Sequence, residues 1–125
     1  MILVDTSVLI DVIEQQPVWA EWSVERLNDR AMQHPLAINV VIYAEISRSF
    51  ADAISLDLFL RSANIKVDAI SNRASFAAAK AHTAYRAAGG TRQANLPDFS
   101  IGAHAQEAGY ALLTRDPVRK KNLPS

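Results

Sequence analysis

Cysteine is absent from this chain, which excludes disulfides, thiolate zinc sites and cysteine nucleophiles. An excess of either charge is missing too, since 13 Lys and Arg balance 13 Asp and Glu. Bulk attraction to nucleic acid is thereby excluded, and any contact with it must use local basic patches. No basic stretch precedes the apolar start MILVDTSVLIDVI, and Asp5 and Asp11 interrupt it. It reads as neither a signal peptide nor a membrane span, so the expectation is a cytoplasmic protein with no membrane partner. Internal repeats, low-complexity tracts and dividing linkers are also lacking. The 125 residues, 50% of them hydrophobic, read as a single domain over 1–125 with a real core.

What is present is an alternation of short apolar runs and amphipathic stretches. Ile2-Leu3-Val4 has the character of a buried parallel strand, and Asp5-Thr6-Ser7 offers cap-type side chains to the helix that follows. Pro17 opens a helical segment with Ala20, Val24, Leu27 and Ala31 expected inward. Leu36-Ala37-Ile38 is a second strand; Asn39 is an N-cap that puts Glu45 about two turns into a third helix. Ala53 to Leu60 is amphipathic, with Ile54 and Leu58 expected inward. Ile65 to Ile70 alternates as a half-buried strand. Asn72 to Ala88 is an Ala-rich helix stopped by Gly89-Gly90. A polar loop then leads through Pro97 into a helix closed by Gly109, and Tyr110 to Thr114 is the last strand. The order is β-α-α-β-α-α-β-α-α-β, an α/β architecture with a mainly parallel sheet.

Four acids stand at the joints of this pattern: Asp5, Glu45, Asp98 and Asp116. Loops at the carboxyl ends of parallel strands converge on one crevice, so residues remote in sequence can meet there. Singly, Asp5 and Asp98 are explained as acids near helix starts that interact with the helix dipole. That reading does not explain why all four fall on the crevice side, nor why Glu45 sits in the apolar run VIYAEI. Gathered carboxylates repel unless something positive lies between them, and without it the loss of one charge should be neutral or stabilising. Hard oxygen donors call for Mg²⁺ or Mn²⁺. Thr6, Ser7 and Thr114 are placed to orient the acids beside them.

The remaining acids, Asp11 among them, read as solvated, and Asp68 as an outward strand residue. His104, between small neighbours in GAHA, reads as a packed side chain rather than a ligand. Of the basic residues that could meet phosphates, which include Arg48 and Arg119, Arg92 and Arg115 are best placed because they lie close to Asp98 and Asp116. For the C-terminal run the plainer alternative is a solvated tail, and it is the better one for Lys120 and Lys121. Trp19, Trp22, Phe50 and Phe59 suit core packing or a partner interface.

At ILVDTSVLID, INVVIYAEI and LPDFSIGAHAQEAGYALLTRD the chain resembles the PIN-domain nucleases, and among them the small VapC-type toxins of bacterial toxin–antitoxin pairs. The resemblance covers nearly the whole chain, and the third block is its most specific part. It implies a PIN-like three-layer sandwich with a central, mainly parallel sheet of four or five strands flanked by helices. It also implies a Mg²⁺- or Mn²⁺-dependent endoribonuclease, an RNA substrate, a cognate antitoxin that blocks the site, and a homodimer. By position Asp5, Asp98 and Asp116 look like metal ligands, and Glu45 like the acid that places metal or attacking water. Such chains usually continue past TRD through an aromatic-containing stretch into a final strand. Here RKKNLPS follows instead, which leaves the fifth strand open.

Three other classes fit less well. A receiver domain wants an acidic pair after the first strand, and a haloacid-dehalogenase-type phosphatase wants an Asp where Ser7 stands. A non-catalytic PIN-like module that only binds nucleic acid or protein would be marked by a missing acid, and none is missing.

Overall fold

The computed structural model describes residues 1–90 and 93–121, apart from the Lys121 side chain. Strands β1 (Ile2–Val4), β2 (Leu36–Ile38), β3 (Ile65–Val67) and β4 (Ala111–Leu113) form a four-stranded sheet in the order β3-β2-β1-β4. Every pairing is parallel; Ile2 lies opposite Leu36 on one side and Ala111 on the other. Helices α1 (Thr6–Ile13), α2 (Ala20–Ala31), α3 (Val40–Ile46), α4 (Ala53–Ser62), α5 (Asn72–Ala87), α6 (Leu96–Ala108) and α7 (Pro117–Lys121) flank it. The chain builds from β1 outward to β3, then returns to lay β4 on the other side of β1. The strand order therefore switches between β1 and β4, and a crevice opens beyond their carboxyl ends.

The core is aliphatic. Leu3, Val4, Val8, Leu9, Ile38, Ile42, Ile46 and Ile101 are fully buried in one cluster. A second cluster of Ala74, Ala78, Ala94, Phe99 and Ala103 joins α5 to α6. Helix α6 thus faces core on two sides, which is why small residues run through FSIGAHA and seven of its residues are buried. Gly109 ends it at φ 73°, the left-handed conformation that a Cβ disfavours.

Three inward faces differ from expectation. In α2 only Ser23 is buried, and Val24 and Ala31 are exposed. In α4 the buried pair is Leu56 and Leu60, whereas Ile54 and Leu58 face solvent. Both i, i+4 pairs are aliphatic, so helical periodicity offered two solutions and packing chose one. Strand β3 stops at Val67, itself exposed, because it is the sheet edge and is covered on fewer sides.

Candidate acidic site at the sheet switch point

Asp5 follows β1, and its backbone N–H donates to the Leu113 carbonyl of β4 at 2.9 Å. This bond fixes the residue at the switch point. Asp5 occupies the N-cap position of α1 yet makes no side-chain cap bond, so its carboxylate is free for other partners. Oδ2 accepts from Ser7 Oγ at 3.0 Å and from Thr114 Oγ1 at 2.7 Å. Glu45 arrives from α3, whose start is fixed by Asn39 Oδ1 accepting from the Ile42 N–H at 3.0 Å. Thr6 Oγ1 donates to Glu45 Oε1. Asp98 comes from the first turn of α6, where Oδ2 accepts from the Asn95 N–H at 2.7 Å. The helix-start explanation therefore holds for half of the Asp98 carboxylate and fails for Asp5.

The residue that joins them is Arg119. Its Nη1 donates to Asp5 Oδ1 at 2.6 Å and to Glu45 Oε1 at 2.9 Å. Nη2 donates to Glu45 Oε2 at 2.7 Å, and Nε to Asp98 Oδ1 at 2.8 Å. Arg119 is only 8% exposed, so the solvated-tail alternative fails for it. Burial works against its charge, but the Glu45, Asp5 and Asp98 contacts outweigh that and hold it protonated well above the ordinary arginine range. Asp116 stands on the rim, where Oδ1 accepts from the Val118 N–H at 2.9 Å. It starts α7 with Pro117 as the first helical residue. Arg119 then falls one turn in, reaching back over the helix start toward the acids. Sequence reasoning could have found it from that spacing and from the need of gathered acids for a cation.

The cleft has a volume of about 560 Å³ and is lined by Asp5, Thr6, Ser7, Glu45, Asp116 and Arg119, together with Arg48 and Arg115. Arg115 is engaged elsewhere. Its Nε and Nη2 donate to Asp11 at 2.6 Å each, with the guanidinium 5.0 Å from the Trp19 ring centroid. Asp11 is fully buried and also accepts from Ser23 Oγ at 2.7 Å, which corrects its reading as solvated. Burial pushes the Asp11 carboxyl up, but the Arg115 and Ser23 hydrogen bonds prevail and hold it below the usual range. Arg48 is exposed at the cleft edge. Arg92 lies outside the described residues.

Behind the acids runs a buried polar chain that the sequence did not reveal. Asn39 Nδ2 donates to His104 Nδ1 at 3.0 Å, since Asn39 Oδ1 is occupied by the helix cap. His104 Nε2 then donates to Asp68 Oδ2 at 2.9 Å, and Tyr110 OH donates to the same oxygen at 3.1 Å. His104 is the packed residue expected. Asp68 is half-buried and partnered, and the outward reading is corrected.

The donor chemistry of the acids, all carboxylate oxygen, fits a hard divalent cation. With Arg119 seated, however, no three acids or imidazoles among the described residues stand close enough to grip one ion. Three carboxylates against one guanidinium leave the cluster negative, so it retains an appetite for a cation.

Fold and site together define a small α/β domain with an acidic crevice at its switch point. The chain belongs to the PIN-domain family, whose sequence model matches residues 2–121. PIN domains generally use divalent metal ions. Among curated protein sequences none matches the chain. Among solved structures it is similar to VapBC2 of Rickettsia felis bound to a promoter DNA fragment, with TM-score 0.75 and 20% identity over 99% of this chain and 94% of that one. It is also similar to the sarcin-ricin loop cleaving toxin VapC20 of Mycobacterium tuberculosis, with TM-score 0.70 and 16% identity over 97% and 94%. FitAcB of Neisseria gonorrhoeae follows with TM-score 0.67 and 17% identity over 98% and 93%. No helix among the described residues is long and apolar enough to cross a membrane.

Proposed function

We propose that this chain, as one cytoplasmic PIN domain, is a metal-dependent endoribonuclease and the toxin of a toxin–antitoxin pair. The observation that carries this reading is the convergence of Asp5, Glu45 and Asp98, from three separate elements, on a single cationic group. Elements so distant in sequence bring acids together at an energetic cost, which a catalytic use of the cluster accounts for. The likeness to toxin–antitoxin structures supports the family role and an antitoxin partner, and the RNA-cleaving neighbour supports the substrate class.

Asp5, Asp98 and Asp116 would hold Mg²⁺ or Mn²⁺. When bound, the ion would polarise the scissile phosphate and lower the pKa of a water. Glu45 would orient the attacking water, and Thr6 holds Glu45 by its hydrogen bond. Ser7 and Thr114 together fix Oδ2 of Asp5, and Oδ1 is the oxygen that faces Arg119. Arg48, at the cleft edge, meets a substrate phosphate as a point of positive charge. Single-stranded or looped RNA is the substrate class, because its backbone can enter a recessed crevice.

Purified protein should cleave single-stranded RNA with Mg²⁺ or Mn²⁺ and stop on chelation. Asp5→Asn should abolish cleavage with the circular dichroism spectrum unchanged. Cleavage at the wild-type rate in that variant, free of contaminating nuclease, overturns the reading and leaves a PIN-like module that only binds nucleic acid or protein.

A further inference from the structure

We propose that Arg119 is a built-in counterion that competes with a divalent cation for Asp5, Glu45 and Asp98, so that α7 must withdraw before an ion is gripped. The proposal rests on the metal-dependent reading above and concerns the same crevice. Arg119 makes four charge-assisted hydrogen bonds of 2.6 to 2.9 Å to three carboxylates. Bonds of this kind are among the strongest that a side chain makes. They also set the spacing of the acids. A small divalent ion takes its oxygens at about 2.0–2.1 Å, so ligands around it stand closer together than ligands around a planar guanidinium. No three of the described acids or imidazoles are gathered that tightly. Two positive groups cannot share the position, and one must leave.

The element that carries Arg119 is suited to leaving. Helix α7 has five residues, too few to be stable without tertiary contacts. Apart from Arg119, its attachments include the Asp116 cap and the packing of Val118 against the Phe99 cluster. The Asp116 carboxylate that starts α7 is also one of the acids assigned to the metal, so recruiting it loosens the helix start as the ion enters. Metal binding and withdrawal of Arg119 are then one equilibrium, and the apparent affinity for metal falls by the fraction of molecules that are open.

The test is Mn²⁺ binding by calorimetry to wild type, Arg119→Ala and Arg119→Lys. Arg119→Ala should bind Mn²⁺ tighter by roughly tenfold or more, with a lower melting temperature in metal-free buffer. Arg119→Lys, which keeps the charge but loses the fork, should fall between. Equal affinities in wild type and a folded Arg119→Ala overturn the competition while leaving metal-dependent cleavage standing. Weaker binding in Arg119→Ala overturns it also, by making Arg119 part of the metal site, and no binding to any of the three removes both readings. A readout that does not depend on the folding of Arg119 variants comes from Lys120→Cys, which can be spin-labelled uniquely because the chain has no cysteine. Saturating Mg²⁺ should raise the mobility of that label, and a label unchanged by Mg²⁺ overturns the withdrawal of α7.

Discussion

Single charged residues carry most of what the structure adds to the sequence. Three of the acids were recognisable because each interrupts an apolar stretch, and Asp116 because it ends one. Arg119 stood only among several basic residues able to meet a phosphate, and the need of gathered acids for a cation was the signal that could have singled it out. Its presence reverses one expectation. Clustered acids alone would repel, and Asp98→Asn would be neutral or stabilising without metal. With Arg119 bonded to Asp98 Oδ1, Asp98→Asn should instead lose about 1–2 kcal/mol in metal-free buffer, read as a lower melting temperature; a higher one would show that repulsion dominates. Asp11 gives a second case. Removing one partner of so buried a pair is strongly destabilising, here about 2–3 kcal/mol because Arg115 is partly exposed. The Asp11 carboxyl is held below its ordinary value in the folded chain. Its contribution is therefore complete above the unfolded-state pKa of about 3.9 and lost as pH falls through the lower folded one. Urea unfolding should show wild type more stable than Asp11→Asn at neutral pH, with the gap shrinking below about pH 4. A gap that does not change with pH would mean that packing, not charge, holds Arg115.

Elements were legible where one face only is apolar or where caps mark an end. Asn39 caps α3 as N-cap chemistry dictates, and Gly109 closes α6, whereas Asp52, read as a solvated acid, turned out to cap α4. Legibility failed for α4, where Ile54/Leu58 and Leu56/Leu60 are equivalent by periodicity. It failed again in the buried polar chain, because Asn39, His104, Asp68 and Tyr110 lie on four elements or their ends and share no sequence spacing. That chain ties the start of α3, which carries Glu45, to α6, which carries Asp98. It joins the two helices behind the acids. Asn39→Ala removes a helix cap and also leaves His104 Nδ1 buried without its donor. The loss should be about 2–3 kcal/mol, roughly 1 from the cap and the rest from the unpaired nitrogen. Denaturant unfolding measures it. A loss well under 1 kcal/mol would show that water or a ring flip satisfies His104 and that α3 and α6 are joined by apolar packing alone.

The whole molecule is balanced in charge, so attraction to RNA has to be local. Among the described cations lining the cleft, Arg119 and Arg115 are bound to acids, and Arg48 is exposed at the edge. The α/β alternation was readable from the sequence, but the strand order was not. Alternation is indifferent to the side of β1 on which β4 lies, and it is that placement which puts Asp5 beside Thr114. The outer surface of the molecule bears on assembly. Helix α2 buries only Ser23 and leaves Val18, Trp19 and Val24 exposed at or near its start. Beside it, a groove of about 330 Å³ is lined by Val12, Val24, Leu27 and Phe59. Adjoining exposed apolar side chains of this kind mark contact surfaces, and a two-fold pairing would let each copy set its α2 against the groove of the other. We propose a homodimer through this face, with the acidic crevice left open to RNA and antitoxin. Light scattering at tens of micromolar protein should give the dimer mass, and Val24→Asp should give the monomer while retaining the fold, because Val24 contributes little to the core. A monomer mass for wild type refutes the dimer, and a dimer that survives Val24→Asp places the interface elsewhere.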